Sequence, residues 1–159
     1  MTANDFVADE RQTLRIQRSF NAPRALLWEV WTKPEMLMQW FGPAHCPAIS
    51  AKSDFRVGGN WSATLQWTTN GEQLRPHGVY LEIVPERRLV FTFKWEGDHE
   101  DGPPVDTRVT VALSDEAAGS TRVDLIHAEL KSSTSAVGHR DGWMSAFDRL
   151  DDVLEGAMK

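Results

Sequence analysis

Five histidines are the side chains of this sequence that could act as general acids or bases, or bind a metal, near neutral pH. They are His45, His77, His99, His127 and His139. His45 adjoins Cys46, the one cysteine, but structural zinc sites take four ligands in paired clusters, and no second pair follows. We therefore expect no metal ion and no internal disulfide bond. His99 lies in an acidic, proline-rich segment, and we expect it to be solvated in an exposed loop.

Three of these histidines share a predicted face with apolar side chains. His77 has the strand parity of the apolar residues that follow it, and His127 has the parity of those that precede it. His139 stands one helical turn before Trp143. If no bulge intervenes, all three histidines lean towards one cavity. Two interpretations stay open: buried histidines held by hydrogen bonds, or a catalytic histidine that acts as a general acid or base.

Motifs that would assign a reaction are missing from the sequence. No nucleophile elbow (G-x-S-x-G), phosphate-binding P-loop, dinucleotide fingerprint, HExxH or CxxC pattern occurs. We name no catalytic residue and expect no cofactor, so the sequence favours a binding protein over an enzyme.

Tryptophan is unusually frequent, with seven residues beside seven phenylalanines and one tyrosine. Indoles are bulky and carry an N–H group that needs a partner, which is more typical of an amphipathic pocket than of a dry aliphatic core. We expect an apolar pocket in which two histidines orient a polar group of a ligand, although the same side chains could also be plain core. The candidate ligand-binding residues are Trp61, Trp67, His77, Phe93, Trp95, His127, Trp143 and Phe147.

Alternation of apolar and polar residues predicts the strands that position these side chains. The patterns fall at 14–20, 46–55, 61–67, 79–83, 89–95, 109–113 and 123–125. Asn70-Gly71 is a hairpin signal, because both residues tolerate the left-handed region that tight hairpin turns require. Consecutive hairpins predict an antiparallel sheet of about seven strands.

Helices are predicted between the first two strands and at the end of the chain. Asn21 is the expected cap of a first short helix, and a second short helix ends at Gly42. Apolar residues at steps of three and four predict a long helix over 137–157, entered by a Ser/Thr-rich linker at 132–135. Gly142 interrupts this helix, so we expect it to allow close approach of another backbone segment, while Trp143 turns into the cavity mouth.

Composition limits the class of protein and its partners. The 159 residues, 41% of them hydrophobic, fit one domain over 12–159 after a flexible tail at 1–11. A net charge of -6 without clustered Lys or Arg disfavours a nucleic acid or an anionic membrane as partner. No apolar run reaches the roughly 20 residues of a membrane span. The N-terminus lacks the features of a signal peptide, so we expect a cytoplasmic location.

The element order is strand, two short helices, six strands and a long helix, which places the chain in the α+β class. A curved antiparallel sheet wrapped around one long C-terminal helix is the helix-grip arrangement. We therefore predict a binding cavity between the sheet and that helix.

Four segments carry a family resemblance. RSFNAPRALLWEVWTKPEMLMQWFGP, DFRVGGNW, GVYLEIVPERRLVFTFKW and HRDGWMSAFDRLDDVLE together resemble the START-related (SRPBCC, helix-grip) superfamily. Within it, they are similar to the family of the activator of the 90-kDa heat-shock protein's ATPase. The resemblance implies a helix-grip fold with an apolar cavity that binds lipids, hormones or polyketides, and that in some branches cyclises or dehydrates them. The chaperone activators carry a separate partner-binding domain upstream, for which we expect no room in this chain.

Three functional hypotheses follow. The first is binding of a small apolar or aromatic ligand without covalent chemistry. The second is a polyketide-type cyclase or dehydratase that uses a cavity histidine. The third is an interaction module that stimulates a chaperone ATPase or pairs with itself as a homodimer. The sequence leaves the identity of the ligand, the oligomeric state and the pathway open.

Overall fold

The fold is taken from a computed structural model, which describes residues 11–97 and 103–158. The predicted flexible tail falls almost wholly outside these ranges. His99 and its predicted loop position lie outside them as well. Within the described residues, no helix is both long and apolar enough to cross a membrane.

Eight strands, three α-helices and one short 3-10 helix (Ala117–Gly119) make up the fold in the described ranges. The strands are β1 (Gln12–Phe20), β2 (Ala48–Ser53), β3 (Asn60–Gln66), β4 (Gln73–Leu74), β5 (Pro76–Val84), β6 (Arg88–Trp95), β7 (Thr107–Asp115) and β8 (Thr121–Leu130). The α-helices are α1 (Arg24–Thr32), α2 (Pro34–Leu37) and α3 (Ser133–Ala157).

The strands form one sheet in the order β1-β8-β7-β6-β5-β3-β2, and every pair is antiparallel. The two-residue strand β4 pairs with β3 outside this path. Two short helices join β1 to β2, and the long helix α3 follows β8. The predicted α+β helix-grip fold with about seven antiparallel strands is therefore confirmed.

Helix α3 packs against β1 and β8 through one apolar stripe. The buried residues of the stripe are Trp143, Ala146, Phe147, Leu150 and Leu154. The helix begins at Ser133, four residues before its predicted start, because the Ser132 hydroxyl accepts the backbone N–H of Ser135 at 3.0 Å. The segment interpreted as a linker is thus the cap and first turn of the helix.

Helix α1 buries Leu27, Val30 and Trp31, which the sequence pattern predicts. The prediction that Asn21 caps this helix is wrong. Pro23, in an extended conformation, is the N-cap residue, and no side chain bonds to the cap position. A proline at this position supplies the fixed backbone angle of a helix start without a capping side chain.

A bulge in β8 changes which side chains face inward. The pairing with β1 matches Gln12 to Leu130 but Leu14 to His127, so β8 contains one extra residue. Glu129 takes up the extra length in the left-handed region, with φ 68. As a result, His127 and Leu130 are three positions apart, yet both are fully buried.

Candidate ligand-binding cavity

A cavity of about 630 Å³ lies between the first half of α3 and one end of the sheet. Its volume is in the range of small-molecule sites. The sheet contributes residues from β3, β4, β6, β7 and β8, and the segment before β2 completes the wall. The lining residues are Phe41, Gly42, Pro43, His45, Cys46, Leu65, Trp67, Leu74, Phe93, Trp95, Pro104, Val105, Thr107, Leu130, Lys131, Thr134, Ser135, Gly138, His139, Asp141, Gly142, Trp143 and Ala146.

The interior of the cavity is aromatic and its rim is polar. Phe41, Phe93 and Trp143 are buried lining residues, whereas His45 and Asp141 line the cavity but are exposed. Such a gradient suits a ligand with an apolar body and polar groups at the opening.

Four of the eight predicted site residues meet in this cavity: Trp67, Phe93, Trp95 and Trp143. Trp61, His127 and Phe147 are buried beside the cavity but do not line it. They support the wall from behind. His45 and His139 line the cavity although neither is among the predicted ligand-binding residues.

The prediction that His77 leans towards the cavity is wrong, because it is exposed on the outer face of the sheet. Its register partners are Ser62 on β3 and Lys94 on β6. The inner face of β5 carries Pro76, Gly78 and Tyr80, and the first two give no recognisable apolar signal. The alternation of Val79, Leu81 and Ile83 therefore predicts the wrong inner face for His77.

Gly78 is required on that inner face. A Cβ atom there would lie 1.8 Å from the Thr92 carbonyl oxygen and 2.6 Å from Trp61 Nε1. The indole of Trp61 crosses the glycine and donates to the same Thr92 oxygen at 2.9 Å. Gly78 therefore gives no apolar signal for the inner face of β5, and the same lack of a side chain lets Trp61 pack there.

His127 is a neutral histidine held from both sides. Trp143 Nε1 donates to His127 Nδ1 at 3.1 Å, and an indole nitrogen can only donate. The ring proton must therefore be on Nε2, which donates to Thr107 Oγ1 at 2.8 Å. The Thr107 hydroxyl in turn donates to the Phe93 carbonyl oxygen at 2.6 Å. Every polar atom of this chain of hydrogen bonds is used.

The environment of His127 opposes its protonation. Burial, and secondarily the neighbouring His139, lowers the pKa of His127 from 6.5 to about 3. The ring is fully buried and does not line the cavity. For His127, the geometry favours the interpretation of a buried, hydrogen-bonded histidine over that of a catalytic acid or base.

His139 does line the cavity, and a second indole holds it. Trp95 Nε1 donates to His139 Nε2 at 3.0 Å, so the proton of the neutral ring is on Nδ1. That nitrogen donates to the Ser135 carbonyl oxygen one turn earlier, at 2.8 Å. The two histidine rings meet edge to face with centroids 5.0 Å apart. The pair links α3 to the inner face of the sheet.

Arg149 fastens the wall segment before β2 onto α3. Its guanidinium donates, over distances from 2.8 to 3.1 Å, to the carbonyl oxygens of Gln39, Trp40, Phe41 and Gly42. One turn earlier on the helix, Ser145 Oγ accepts the backbone N–H of Ala44 at 2.9 Å. Burial lowers the pKa of Arg149 from its ordinary value. The sequence pattern gave no sign of this role, because Arg149 falls on the polar face of the predicted helix.

Replacing Arg149 by methionine should lower the free energy of unfolding by about 1 to 3 kcal/mol, because the carbonyl oxygens lose a charged donor. Urea denaturation measures the loss. Arg140→Met is the matched control on the same helix, since exposed Arg140 makes one bond to the Arg15 carbonyl oxygen. The control should change stability by no more than about 0.5 kcal/mol. Equal losses in the two variants would contradict the fastening role.

The expectation that Gly142 allows close backbone approach is wrong. A Cβ atom at Gly142 would meet nothing within 4 Å, and the same is true of Gly138 one turn earlier. Both glycines line the cavity. Because Gly138 and Gly142 have no side chains, the cavity is wider where α3 passes along it.

The sheet, the long helix and the cavity between them define a helix-grip protein of the START-related superfamily. The sequence profile described as Activator of Hsp90 ATPase homolog 1-like protein matches residues 21–155. The chain therefore belongs to this family, as the sequence segments indicated.

Solved structures of bacterial proteins share the fold. A protein from Chromobacterium violaceum is 22% identical with a TM-score of 0.77, covering 91% of this chain and 98% of that one. An AHSA1 protein from Silicibacter pomeroyi is 24% identical with a TM-score of 0.76 and the same coverage of 91% and 98%. CalU16 from Micromonospora echinospora is 28% identical with a TM-score of 0.67, covering 93% of this chain and 79% of that one. No curated protein sequence gives a significant match.

Proposed function

We propose that this chain, folded as one domain over 12–159, binds a small apolar or aromatic molecule between the sheet and α3. The observation that carries the proposal is the cavity of about 630 Å³ with an aromatic interior and a polar rim. Apolar lining gives affinity through burial of ligand surface, and the few polar groups fix its orientation.

The aromatic side chains of the cavity have separate roles in this proposal. Trp67, Phe93, Trp95 and Trp143 contact the ligand, because they line the cavity. Trp61, Phe147 and His127 hold those side chains in place from the core. His77 has no part in binding, because it is exposed on the opposite face of the sheet.

The histidine geometry supports binding over catalysis. A cyclase or dehydratase would need a cavity histidine with a ring nitrogen directed at the substrate. In His139, both ring nitrogens are engaged by the protein, one by Trp95 and the other by Ser135. The family's description refers to activation of a chaperone ATPase. The cavity, however, is the feature on which we base the proposed function, and it favours binding of a small molecule.

Replacing Gly142 by leucine should block the site. The new side chain would enter the cavity and lower the affinity for the fluorescent dye anilinonaphthalene sulfonate by roughly tenfold or more, as expected from steric exclusion. The fold should persist, because leucine favours a helix over glycine by about 1 kcal/mol. A fluorescence titration measures the dissociation constant.

The matched control is Gly156→Leu on the same helix. A Cβ atom at Gly156 also meets nothing within 4 Å, but this residue does not line the cavity. The control should bind the dye as the wild type does. If both variants keep full affinity, the dye binds elsewhere and the cavity loses its support as a ligand site.

A further inference from the structure

A second, much smaller cavity lies behind Phe41. It has a volume of about 20 Å³ and is lined by Trp31, Leu37, Phe41, Trp61, Tyr80 and Phe91. Phe41 also lines the large cavity. We call the large cavity the outer chamber and the small one the inner chamber. One phenylalanine ring thus belongs to the walls of both chambers.

Trp31, which lines the inner chamber, carries a hydrogen-bond donor that pairs with no acceptor of the described residues. Trp31 is 3% exposed, and its Nε1 has no hydrogen-bond partner among the described residues. The buried indoles of Trp40, Trp61 and Trp143 each donate to a protein acceptor at 2.9 to 3.1 Å. Buried polar groups are nearly always paired, so an unpaired N–H on a residue that lines a cavity is a candidate donor to a molecule that enters that cavity.

Access to this donor depends on the Phe41 ring and not on the backbone that carries it. The Phe41 carbonyl oxygen accepts from Arg149 at 3.0 Å and from the backbone N–H of Ala48 at 2.9 Å. The ring itself makes aromatic contacts with Trp61 and Trp143, at centroid distances of 6.1 and 5.8 Å. These backbone bonds leave the side-chain torsion of Phe41 unconstrained, so we infer that rotation of the ring is the movement that joins the chambers.

We propose that the ligand's inner end carries a neutral oxygen acceptor, such as a ketone, which passes Phe41 and accepts the Trp31 N–H. This inference rests on the proposed function. The volume of the inner chamber, about 20 Å³, exceeds the roughly 10 to 15 Å³ needed for an oxygen the size of water. None of its lining residues is charged, so a carboxylate would be buried there without a counter-ion. The class of ligand is an apolar or aromatic compound with a neutral oxygen acceptor, such as a ketone, as opposed to a hydrocarbon or an acid.

A matched pair of probes tests the proposal. Acetylnaphthalene and ethylnaphthalene, substituted at the same ring position, differ by one carbonyl oxygen. Displacement of anilinonaphthalene sulfonate gives their dissociation constants, and the ratio of the two constants is the readout. Trp31→Phe, which removes the N–H and keeps a ring, should reduce the preference for acetylnaphthalene by roughly tenfold, the value of one neutral hydrogen bond. Trp40→Phe is the control, because its N–H is already bound to the Val30 carbonyl oxygen, and it should keep the ratio.

A second measurement covers the case in which Trp31→Phe does not fold. In proton–nitrogen NMR spectra of the wild type, the Trp31 indole proton should shift downfield on addition of acetylnaphthalene, as a new hydrogen bond requires, and should show no downfield shift with ethylnaphthalene. The absence of this difference, or an unchanged ratio in Trp31→Phe, overturns the proposal, as would occur if the inner chamber held only a water molecule. Failure of both naphthalenes to displace the dye would instead overturn the proposed function.

Discussion

Replacing Trp143 by alanine should lower the free energy of unfolding by about 3 to 5 kcal/mol, the usual cost of emptying a packed aromatic site. Trp143 is 5% exposed, although one part of it lines the outer chamber. Its ring packs between Trp31 and Phe41, at centroid distances of 5.8 Å from each. The sequence pattern predicts this indole at the cavity mouth, where its removal would cost less unfolding free energy. Because the indole is buried, the expected loss is larger.

The loss in Trp143→Ala has two parts, which Trp143→Phe separates. Phenylalanine keeps most of the packing but leaves His127 Nδ1 without its donor, so it should cost about 1 to 3 kcal/mol. Urea denaturation of both variants gives the two values. A loss below about 1 kcal/mol for Trp143→Ala would mean that the ring is not part of the core.

Between pH 7 and pH 5, the contribution of His127 should lower the stability of the protein by about 2 kcal/mol. The folded ring stays neutral down to a pKa of about 3, whereas the unfolded ring takes up a proton near 6.5. Between these values the unfolded state binds more protons, so acidification favours unfolding. The loss of stability begins as the pH falls below about 6.5, and it grows until the pH reaches the pKa of the folded ring.

Two variants isolate this contribution from other titrating groups. His127→Gln removes the titration, so its stability should depend less on pH between 7 and 5, although the variant is less stable overall. His77→Gln is the matched control on the exposed face of the sheet and should keep the wild-type slope. Urea denaturation at the two pH values provides the comparison. Equal slopes for the wild type and His127→Gln would show that the buried ring does not resist protonation.

The sequence predicts which face of a strand a side chain lies on, but not how far along the strand it lies from the cavity. Trp61 and Trp67 have the same parity and were both assigned to the pocket. Six residues of strand span roughly 20 Å, so two side chains on one face can belong to different ends of a cavity. Trp67 lines the outer chamber, whereas Trp61 is buried in the core and lines the inner one. Alternation of apolar and polar residues identifies which face of a strand is buried. It does not show which residues of that face lie at the cavity and which lie in the core.

Contacts between distant segments account for most of what the sequence pattern missed. Arg149 and Ser145 fall on the polar face of the predicted helix, and nothing near them in sequence shows that a loop is bound there. The roles of Gly78 and Gly142 depend on what crosses each glycine in space, Trp61 in one case and open cavity in the other. His45 faces the cavity because the segment that carries it is held against α3. Local patterns determine the elements, and the tertiary contacts that complete the cavity leave no periodic signal.

The fastening of the wall by Arg149 also determines when the cavity comes into existence during synthesis. Its bonds join residues 107 to 110 positions apart in the chain, and the helix that carries Arg149 is synthesised after all eight strands of the described sheet. Until that helix is complete, the sheet exposes its aromatic face and the segment before β2 has no anchor. A ligand therefore meets the assembled cavity only after Arg149 has been synthesised, and a nascent chain halted before Arg149 would expose the same tryptophans to solvent and to other chains.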